Sequence, residues 1–496
     1  MIREWIEQAA ARHGEDVYLA DARGSATLTY AGLLDVVRDT ERRLDDAGLP
    51  PGSRVNVRLA DPLGYATALV ALIAAGRVAV PLDPGAPDTE VARVLGVARP
   101  AGMVTSRAPA TAEEPGGHAR EATTPFGITA FDFSPLTSGG DGGGIFLCTS
   151  GTTGTPKGIL LREEQLAHVA SSVVGWHRLD QSDRGYCSLP LFHVNAEVVG
   201  LLATLAARAC LVLDRRFSRR GFWAIIKDKQ VTWINAVPAI ITVLAADPAA
   251  APSPGLVRFV RSASAPLSAS VLGRFERAFG IPVVETYGMT EAASMITANP
   301  LHGPRKVGSA GLPAGAEVRI VQRDGQGCLP CPAGAVGGVQ IRGRGVISEY
   351  AEGGPAGAID PDGWLDTGDL GHLDQDGYLF LAGRSDDVIN RGGEKIYPRE
   401  IEDVLLAQPG VRFAAVVAAR DEVLGECPVA YVVPAGPGAG QPLEDALREA
   451  CEAALPRPKW PAAFHLVAEL PVGPTGKVAR RRLQELAATR VTPSAA

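Results

Sequence analysis

Residues 149–158 read T-S-G-T-T-G-T-P-K-G and follow a short apolar run, Ile145 to Cys148, that is typical of a strand end. Three glycines and five hydroxyl side chains in ten positions disfavour both helix and strand. Glycine lets backbone N–H groups approach an anion, hydroxyl groups donate further hydrogen bonds, and lysine adds positive charge. The spacing differs from a Walker loop and from a dinucleotide fingerprint. The stretch favours a phosphate-binding loop; a flexible surface loop is the alternative when it is taken alone.

Composition excludes several classes of protein. The chain has 496 residues, 46% apolar and 21% charged, which is ordinary for a globular protein of two or three domains. A net charge of −7 argues against a nucleic-acid partner. Seven scattered cysteines disfavour a disulfide framework, and the N-terminus does not resemble a signal peptide. We therefore expect a cytoplasmic protein without a membrane span; the oligomeric state is left open.

The order of predicted elements indicates the fold class. Apolar strands alternate with helices from about residue 55 to residue 285, which predicts an α/β fold with parallel strands and helical crossovers. Residues 106–144 are rich in Pro, Gly, Ala and Thr, and we expect a long surface loop there. Beyond Gly303 the pattern predicts a small antiparallel subdomain. After residues 383–387 it predicts a separate α+β domain of roughly one hundred residues.

A second stretch suited to chemistry, residues 285–291, reads E-T-Y-G-M-T-E and follows a predicted strand. Open α/β sheets bind ligands at the carboxyl ends of their strands. Tyr287 can stack on a base, Thr290 can bind a phosphate, and Glu291 can hold Mg²⁺ through a carboxylate oxygen. The alternative is an ordinary strand-to-helix turn with an acidic residue in the first helical turn.

Four further stretches follow in the C-terminal third. Asp369, within residues 363–370, has the chemistry to accept from both hydroxyls of a ribose, and Arg384 precedes a polar joint. Residues 392–398 read G-G-E-K-I-Y-P, and residues 474–477 read P-T-G-K. Two of these stretches have a plain structural alternative when they stand alone: a hairpin turn for the first, and an exposed surface lysine for the last.

Together, the order and spacing of these six stretches resemble the adenylate-forming superfamily, from about Thr29 to Leu483. Residues 189–194 and 389–396 are similar to those of small-acid CoA ligases of the oxalyl-CoA synthetase type. The resemblance implies a large N-terminal adenylation domain, residues 1–384, of stacked α/β subdomains plus a β-rich subdomain. It also implies a hinge at 385–387 around Asp386, a small mobile α+β domain at 388–484 and a flexible tail at 485–496.

The resemblance further implies an ATP-dependent ligase. A carboxylate attacks the α-phosphate of ATP, pyrophosphate leaves, and the acyl-adenylate reacts with CoA; Mg²⁺ and ATP are required. The implied catalytic residues are Lys477, Glu291 (which also binds Mg²⁺), Thr290 and Lys157. The implied nucleotide-binding residues are Thr149, Ser150, Gly151, Thr152, Thr153, Gly154, Ser264, Ala265, Glu285, Thr286, Tyr287, Gly288, Asp369, Arg384 and Lys395. Gly392 and Gly393 would line the pantetheine tunnel after the small domain rotates about Asp386.

The acid is left open by the sequence. In the superfamily, enzymes for α-amino acids usually carry Asp after the position of Phe192, whereas here His193 follows it. Asn195 and Glu197 also depart from the oxalyl type, which puts oxalate itself in doubt. Glu197 has two interpretations: it pairs with an amine on the acid, or it faces solvent from a helix start. The predicted acid pocket comprises His193, Asn195, Glu197, Asn235, Ser262, Ser264 and Met289, a polar set that favours a small or functionalised acid.

Two alternatives to a CoA ligase remain at this point. One keeps adenylation but passes the activated acid to a carrier protein, an amine or another small nucleophile, as in a biosynthetic pathway of secondary metabolism. The other is a non-catalytic nucleotide-binding scaffold on the same fold. The presence of Lys477, Glu291 and Asp369 argues against the scaffold.

Overall fold

The computed structural model describes residues 1–106, 126–130, 142–150, 156–246, 255–324, 327–436, 440–473 and 478–489. Of the predicted site residues, Gly151, Thr152, Thr153, Gly154 and Lys477 lie outside these ranges. Most of the predicted surface loop at 106–144 lies outside them as well. Within that loop, Phe126–Ala130 forms an edge strand antiparallel to Gly102–Ser106, so part of it belongs to a sheet.

The largest sheet in the described part has nine strands, and its centre is parallel. Its strands are, in spatial order, Leu312–Pro313, Ser294–Ala298, Val283–Met289, Phe259–Ser262, Trp233–Ala236, Arg184–Cys187, Cys210–Leu213, Val17–Asp21 and Thr27–Thr29. Antiparallel strands close both edges. The carboxyl ends of the central strands therefore meet at one edge of the sheet, where a ligand can reach several of them.

A second sheet carries the strands on either side of the glycine-rich loop. Its six strands are, in spatial order, Phe126–Ala130, Gly102–Ser106, Arg54–Val57, Val78–Pro81, Gly144–Ser150 and Pro156–Arg162. The last two pair antiparallel, with Thr149 opposite Lys157. The short apolar run before the loop is thus one arm of a hairpin, and the return arm was not predicted.

Helices stack the two sheets into one body. Their bounds are Ile2–His13, Tyr30–Asp46, Pro62–Ala74, Asp88–Ala98, Glu163–His177, Ala203–Ala207, Phe222–Asp228, Pro238–Ala245 and Ala269–Phe279. The helix Pro62–Ala74 begins at an Asp61 cap, whose carboxylate accepts from the Gly64 N–H, and it is buried from Gly64 onward. One apolar core contains this helix together with residues of both sheets. Such a helix, apolar on every side, fits only between two layers.

The β-rich subdomain is the predicted antiparallel sheet. Its strands are, in spatial order, Gly327–Pro330, Glu317–Asp324, Gly337–Arg342, Leu365–Leu373 and Leu379–Arg384. The strand Leu365–Leu373 replaces the hairpin turn that its Asp and Gly residues suggested. It bends at a register shift between Leu370 and Gly371, which lets a strand accommodate those residues.

The C-terminal region has its own sheet and apolar core. Its strands are Glu394–Ile396, Ile389–Arg391, Gly425–Pro434 and Val411–Asp421 in spatial order, with Ala463–Leu466 parallel to the third. Its helices are Pro398–Leu406, Gln441–Ala454 and Arg480–Thr489. The last helix includes residues 485–489, which we had assigned to the flexible tail, because Leu483 and Ala487 are buried in a second apolar cluster of this region.

One predicted helix begins with a π-helical segment. The apolar run at residues 198–206 predicts a helix, and the chain forms a π-helix at Asn195–Leu202 that continues as the α-helix Ala203–Ala207. The start lies three residues earlier than predicted and brings Asn195 and Glu197 into the helix. Single π-helical segments occur frequently at functional sites. None of the helices in the described ranges is long and apolar enough to span a bilayer.

Candidate active site

Asp369, Arg384 and Tyr287 form one cluster, which we call the ribose corner. Asp369 and Arg384 lie opposite each other on adjacent strands. Arg384 Nη1 donates to Asp369 Oδ1 at 3.2 Å and to the Thr367 carbonyl at 3.0 Å. The Tyr287 hydroxyl donates to Asp369 Oδ2. Tyr287 and Arg384, from two other sequence stretches, therefore share the Asp369 carboxylate; the role of Asp369 in binding a ribose remains a prediction.

The charges at the ribose corner balance. Burial acts to lower the pKa of Arg384, but the charge and hydrogen bond of Asp369, together with the nearby Tyr287 and Asp386, outweigh it and the net shift of the pKa is upward. Burial raises the pKa of Tyr287 well above its usual value, and the charge of Asp369 raises it further. Tyr287 is therefore a neutral donor and Arg384 a cation around one carboxylate. Such a carboxylate can exchange a protein donor for two ligand hydroxyls at little cost.

Lys157 and Glu291 meet through Tyr350, a residue that sequence reasoning missed. The Lys157 ammonium lies 5.5 Å from the centre of the Tyr350 ring. The Tyr350 hydroxyl donates to Glu291 Oε1 at 3.0 Å. Glu291 follows Thr290 in the single turn Thr290–Ala292 directly after the strand Val283–Met289. The phosphate-loop lysine and the predicted Mg²⁺ ligand therefore lie on one side of the site.

Glu291 fits a magnesium ion shared with a polyphosphate. The described part of the chain holds no group of three or more His, Cys, Asp and Glu side chains arranged for a metal. Glu291 therefore offers a single hard oxygen ligand. Mg²⁺ in nucleotide sites is typically held by one or two carboxylates together with phosphates and waters, so the donor set suits metal that arrives with ATP.

Backbone contacts fix the phosphate-loop hairpin against the site. Gly158 N donates to the Glu352 carbonyl at 2.8 Å, and Ala351 N donates to the Gly158 carbonyl at 2.9 Å. A Cβ at Gly158 would lie 2.7 Å from Phe146 Cζ. Only glycine allows this approach, and it places Lys157 beside Tyr350.

The predicted adenine frame lies at the ends of neighbouring strands. Ser262 pairs with Glu285, and Thr286 Oγ1 donates to the Ser262 carbonyl at 3.1 Å. Ser264 adopts a left-handed backbone conformation with φ 73°, and Ala265 after it is exposed. Gly288 approaches the neighbouring strand so closely that a Cβ there would lie 1.5 Å from the Ser294 carbonyl oxygen. These strand ends are brought together as predicted.

Glu285, within the adenine frame, is buried, and its pKa is shifted from the usual value. Burial raises its pKa to about 7, and the charge of Arg399, from the helix Pro398–Leu406, opposes the rise. The same helix is joined to the N-terminal region by a hydrogen bond of 2.9 Å from Ser270 Oγ to the Leu406 carbonyl. Glu285 therefore lies at the contact between the C-terminal region and the adenine frame.

Asn195, Asn235 and Ser264 of the predicted acid pocket meet around Arg261, which sequence reasoning missed. Arg261 Nη1 donates to Asn195 Oδ1 at 2.7 Å and to Asn235 Oδ1 at 3.2 Å. Asn195 Nδ2 reaches Ser264 Oγ at 3.4 Å. Arg261 precedes Ser262 on its strand, and a lone arginine there carries no local signal that its side chain is buried. We call Asn195, Asn235, Arg261 and Ser264 the polar pocket.

Glu197 is fully buried, so the interpretation that it faces solvent is wrong. Among the described residues neither of its carboxylate oxygens has a hydrogen-bond partner. Burial raises its pKa well above the usual value. Burial of this kind favours the neutral form of a carboxyl over its charged form. Of the other predicted pocket residues, His193 packs its ring 4.6 Å from Phe192, Met289 is half-buried and Ser262 is buried.

The predicted site residues of the small domain and of the hinge that the structure describes lie outside the ribose corner. Asp386 is exposed in the turn Ser385–Asp387, directly after Arg384. Gly392 and Gly393 have φ of 60° and 93° and form the turn before Lys395, which is exposed. In the described part of the chain no hydrogen bond or ion pair joins Gly392, Gly393 or Lys395 to the ribose corner. Their predicted roles remain predictions.

Comparison with known proteins shows which family the chain belongs to. Residues 6–351 match the AMP-binding enzyme family and residues 400–477 match the AMP-binding enzyme C-terminal domain. The chain therefore belongs to the AMP-binding enzyme family. It is 44% identical to a sulfoacetate–CoA ligase of Cupriavidus necator over 346 residues, 69% of this chain and 67% of that one. It is 34% identical to an oxalate–CoA ligase of Arabidopsis thaliana over 92% of this chain and 93% of that one.

A solved structure supports the same conclusion. The o-succinylbenzoate CoA synthetase of Bacillus subtilis, in complex with its acyl-adenylate, superimposes with a TM-score of 0.80 at 28% identity and covers 97% of each chain. The predictions of the adenylate-forming fold and of an AMP-forming acid–CoA ligase are confirmed. The non-catalytic scaffold is not supported.

Proposed function

We propose that this ligase activates a small acid with a second polar group and transfers it to CoA. The observation that carries the proposal is the polar pocket, which lies beside the adenine frame and joins it through Ser264. A pocket built from two amides, a guanidinium and a hydroxyl disfavours a long fatty chain, because buried polar groups need hydrogen-bond partners.

The names of the relatives support the same class of acid. Sulfoacetate, oxalate and 2-succinylbenzoate are the acids named for three relatives, and each carries a second acidic group. All three acids are small compared with a fatty acid. The departures at Asn195 and Glu197 from the oxalyl type argue for a related acid rather than for oxalate itself.

The nucleotide half of the site would work as follows. Asp369 accepts from the ribose hydroxyls while Arg384 pairs with its carboxylate. The β- and γ-phosphates are bound by Thr149, Ser150, the loop residues 151–154 and Lys157. Mg²⁺ on Glu291 would offset the negative charge of the phosphates. Lys477 neutralises both the attacking carboxylate and the α-phosphate, since two anions must meet for the first bond to form.

The thioester step would use the domain division at residues 385–387. Rotation of residues 388–484 about Asp386 withdraws Lys477 and brings Gly392, Gly393 and Lys395 to the nucleotide half of the site. The two glycines have room for a pantetheine arm because neither carries a side chain. One site thus serves two half-reactions through a hinge motion.

A panel of small acids in a pyrophosphate-release assay tests the proposal. We expect release that depends on the acid and on Mg²⁺, and an acyl-CoA product when CoA is present. Lys477→Ala should abolish pyrophosphate exchange. Acid-dependent AMP without any thioester would instead favour a carrier protein or an amine as the acceptor. A preference for long-chain acids would contradict the proposal.

A further inference from the structure

Arg261 is a buried cation without a buried anion to match it. Its side chain is 1% exposed. In the described ranges its hydrogen-bond partners are the two amide oxygens of Asn195 and Asn235, and none is a carboxylate. Burial lowers the pKa of Arg261 to about 9. A buried charge without an opposite charge is costly, and proteins normally pair it.

Other arginines of the chain show what pairing looks like. Arg77 is equally buried, and it forms an ion pair with Asp45 besides its bonds to backbone carbonyls. Arg258, three residues before Arg261, binds both oxygens of Asp183, at 2.8 Å and 2.7 Å to Nη2. These two arginines therefore have a carboxylate partner, whereas Arg261 has none among the described residues.

The amides around Arg261 orient it without neutralising it. Asn235 lies directly opposite Arg261 on the adjacent strand, and its Nδ2 donates to the Asn195 backbone carbonyl at 3.2 Å. Both amide oxygens therefore point at the guanidinium and their nitrogens point elsewhere. Neutral acceptors fix the direction of the cation but leave its charge for another group.

The location of Arg261 connects it to the acid half of the site. It lies near the carboxyl end of the strand Phe259–Ser262, and the next turn holds Ser264 of the adenine frame. Asn195 follows directly on Phe192, His193 and Val194, the stretch that the resemblance assigns to the acid. A group bound at Arg261 would thus belong to the same molecule whose carboxylate is adenylated.

We propose that Arg261 is the specificity-determining residue of this ligase and binds a second anionic group, a carboxylate or a sulfonate, on the acid substrate. This inference rests on the proposed function, in which the acid carries a second polar group, and adds that this group is negatively charged. Glu197 does not take this role for Arg261: it lies two positions after Asn195 in the helix, on roughly the opposite side. No hydrogen bond or ion pair joins it to Arg261 among the described residues.

Matched pairs of acids test the charge directly. Malonate and succinate are compared with malonamate and succinamate, in which a neutral amide replaces the second carboxylate with little change of shape. Rates of pyrophosphate release give kcat and KM for each acid. We expect the wild-type enzyme to prefer the dianion, by about 100-fold in kcat/KM for the chain length that fits best.

Two variants locate the preference. Arg261→Gln should lose about 100-fold in kcat/KM on the dianion, mostly in KM, and change little on the amide counterpart. Arg261→Lys keeps the charge and should retain part of the preference even if Arg261→Gln folds poorly. Arg77→Gln removes a buried arginine elsewhere and should lower the unfolding temperature without changing the ratio between the two acids.

The outcomes separate the inference from the proposed function. Equal losses of Arg261→Gln on dianion and amide would make Arg261 a structural residue and overturn the inference. A wild-type preference for the amides, or for β-alanine and aminobenzoates, would overturn it too and point to Glu197; in either case the ligase itself stands. If none of the acids causes pyrophosphate release, both the inference about Arg261 and the proposed function are contradicted.

Discussion

The ribose corner and the polar pocket are both polar and both lie at strand ends, but they treat charge in opposite ways. At the ribose corner Asp369 has a cation and a neutral donor beside it, so the charges balance within the protein. In the polar pocket Arg261 is fixed by neutral amides, and Glu197, in the adjoining helix, lacks a partner among the described residues.

This difference shows which half of the site is complete without its ligand. A balanced cluster costs little to maintain when ATP is absent. A buried, unbalanced charge lowers stability until a ligand supplies its opposite, so part of the acid's binding free energy offsets a cost that the fold already bears. The acid half should therefore be sensitive to charge, and the nucleotide half to geometry.

The largest effect is expected at Gly288. A Cβ there would lie 1.5 Å from the Ser294 carbonyl oxygen, which is backbone and has no room to move aside. Gly288→Ala should cost at least about 3 kcal/mol in unfolding free energy, or prevent folding. Gly175→Ala is the matched control, because no atom lies within 4 Å of its Cβ and it is in a helix, where alanine stabilises by about 0.5–1 kcal/mol. Thermal unfolding of both variants is the measurement, and equal midpoints would contradict the close backbone approach at Gly288 in the adenine frame.

Asp369→Asn should produce the next largest effect. The substitution removes the charge that accepts from the ribose and leaves Arg384 without its counter-ion. We expect KM for ATP to rise by about 100-fold, with a smaller change in KM for the acid. Asp376→Asn is the control, because that carboxylate is 71% exposed and pairs with Lys306 at the surface. A larger rise in KM for the acid than for ATP would place Asp369 in the acid half of the site instead of the nucleotide half.

Glu285 should make stability depend on pH. Its pKa is about 7 in the folded protein against an ordinary value of 4.5, so the folded state holds the proton more tightly. Its contribution is therefore complete below pH 4.5 and is lost as pH rises through about 7, by about 3 kcal/mol in total. Between pH 4.5 and about pH 7, the stability of Glu285→Gln should therefore rise relative to that of the wild type. Unfolding midpoints at pH 5 and pH 8 check this, and a constant difference between the two proteins would contradict it.

The smallest effect is a gain in stability from Glu197→Leu. The carboxyl is buried without a hydrogen-bond partner in the described part, so its replacement removes an unfavourable burial. We expect the unfolding free energy to rise by about 1–2 kcal/mol at pH 7. Leu is branched and slightly larger, so Glu197→Met serves as a second variant. Destabilisation by both would show that Glu197 is satisfied in solution and would weaken the contrast between the two halves.

Much of the nucleotide half could be predicted from the sequence. Tyr287, Asp369 and Arg384 were chosen from separate stretches, and the structure joins them through one carboxylate. Short motifs suffice there because each contains its own turn chemistry, and glycine positions such as Gly158 and Gly288 mark close backbone approach. Tyr350 was missed because a lone tyrosine carries no local signal; only the hairpin contact at Gly158 brings it to Lys157.

The acid half was predicted less completely. Asn195 and Asn235 were named, but Arg261 was not, and the helix at Glu197 was placed too late in the chain. An arginine in a strand and a glutamate near a helix start both suggest exposed side chains. Whether such a charge is buried depends on the neighbouring strands and helices, which the sequence does not place.

The sequence by itself determined the adenylate-forming class, because phosphate and ribose recognition depend on short stretches whose residues act through local backbone geometry. The tertiary structure alone decided that Arg261 and Glu197 are buried and that no carboxylate in the described part of the chain pairs with Arg261. The physical reason is that charge balance is a property of everything packed around a group, including residues far away in the chain. The acid preference of this ligase therefore follows from packing, while its nucleotide chemistry follows from motifs.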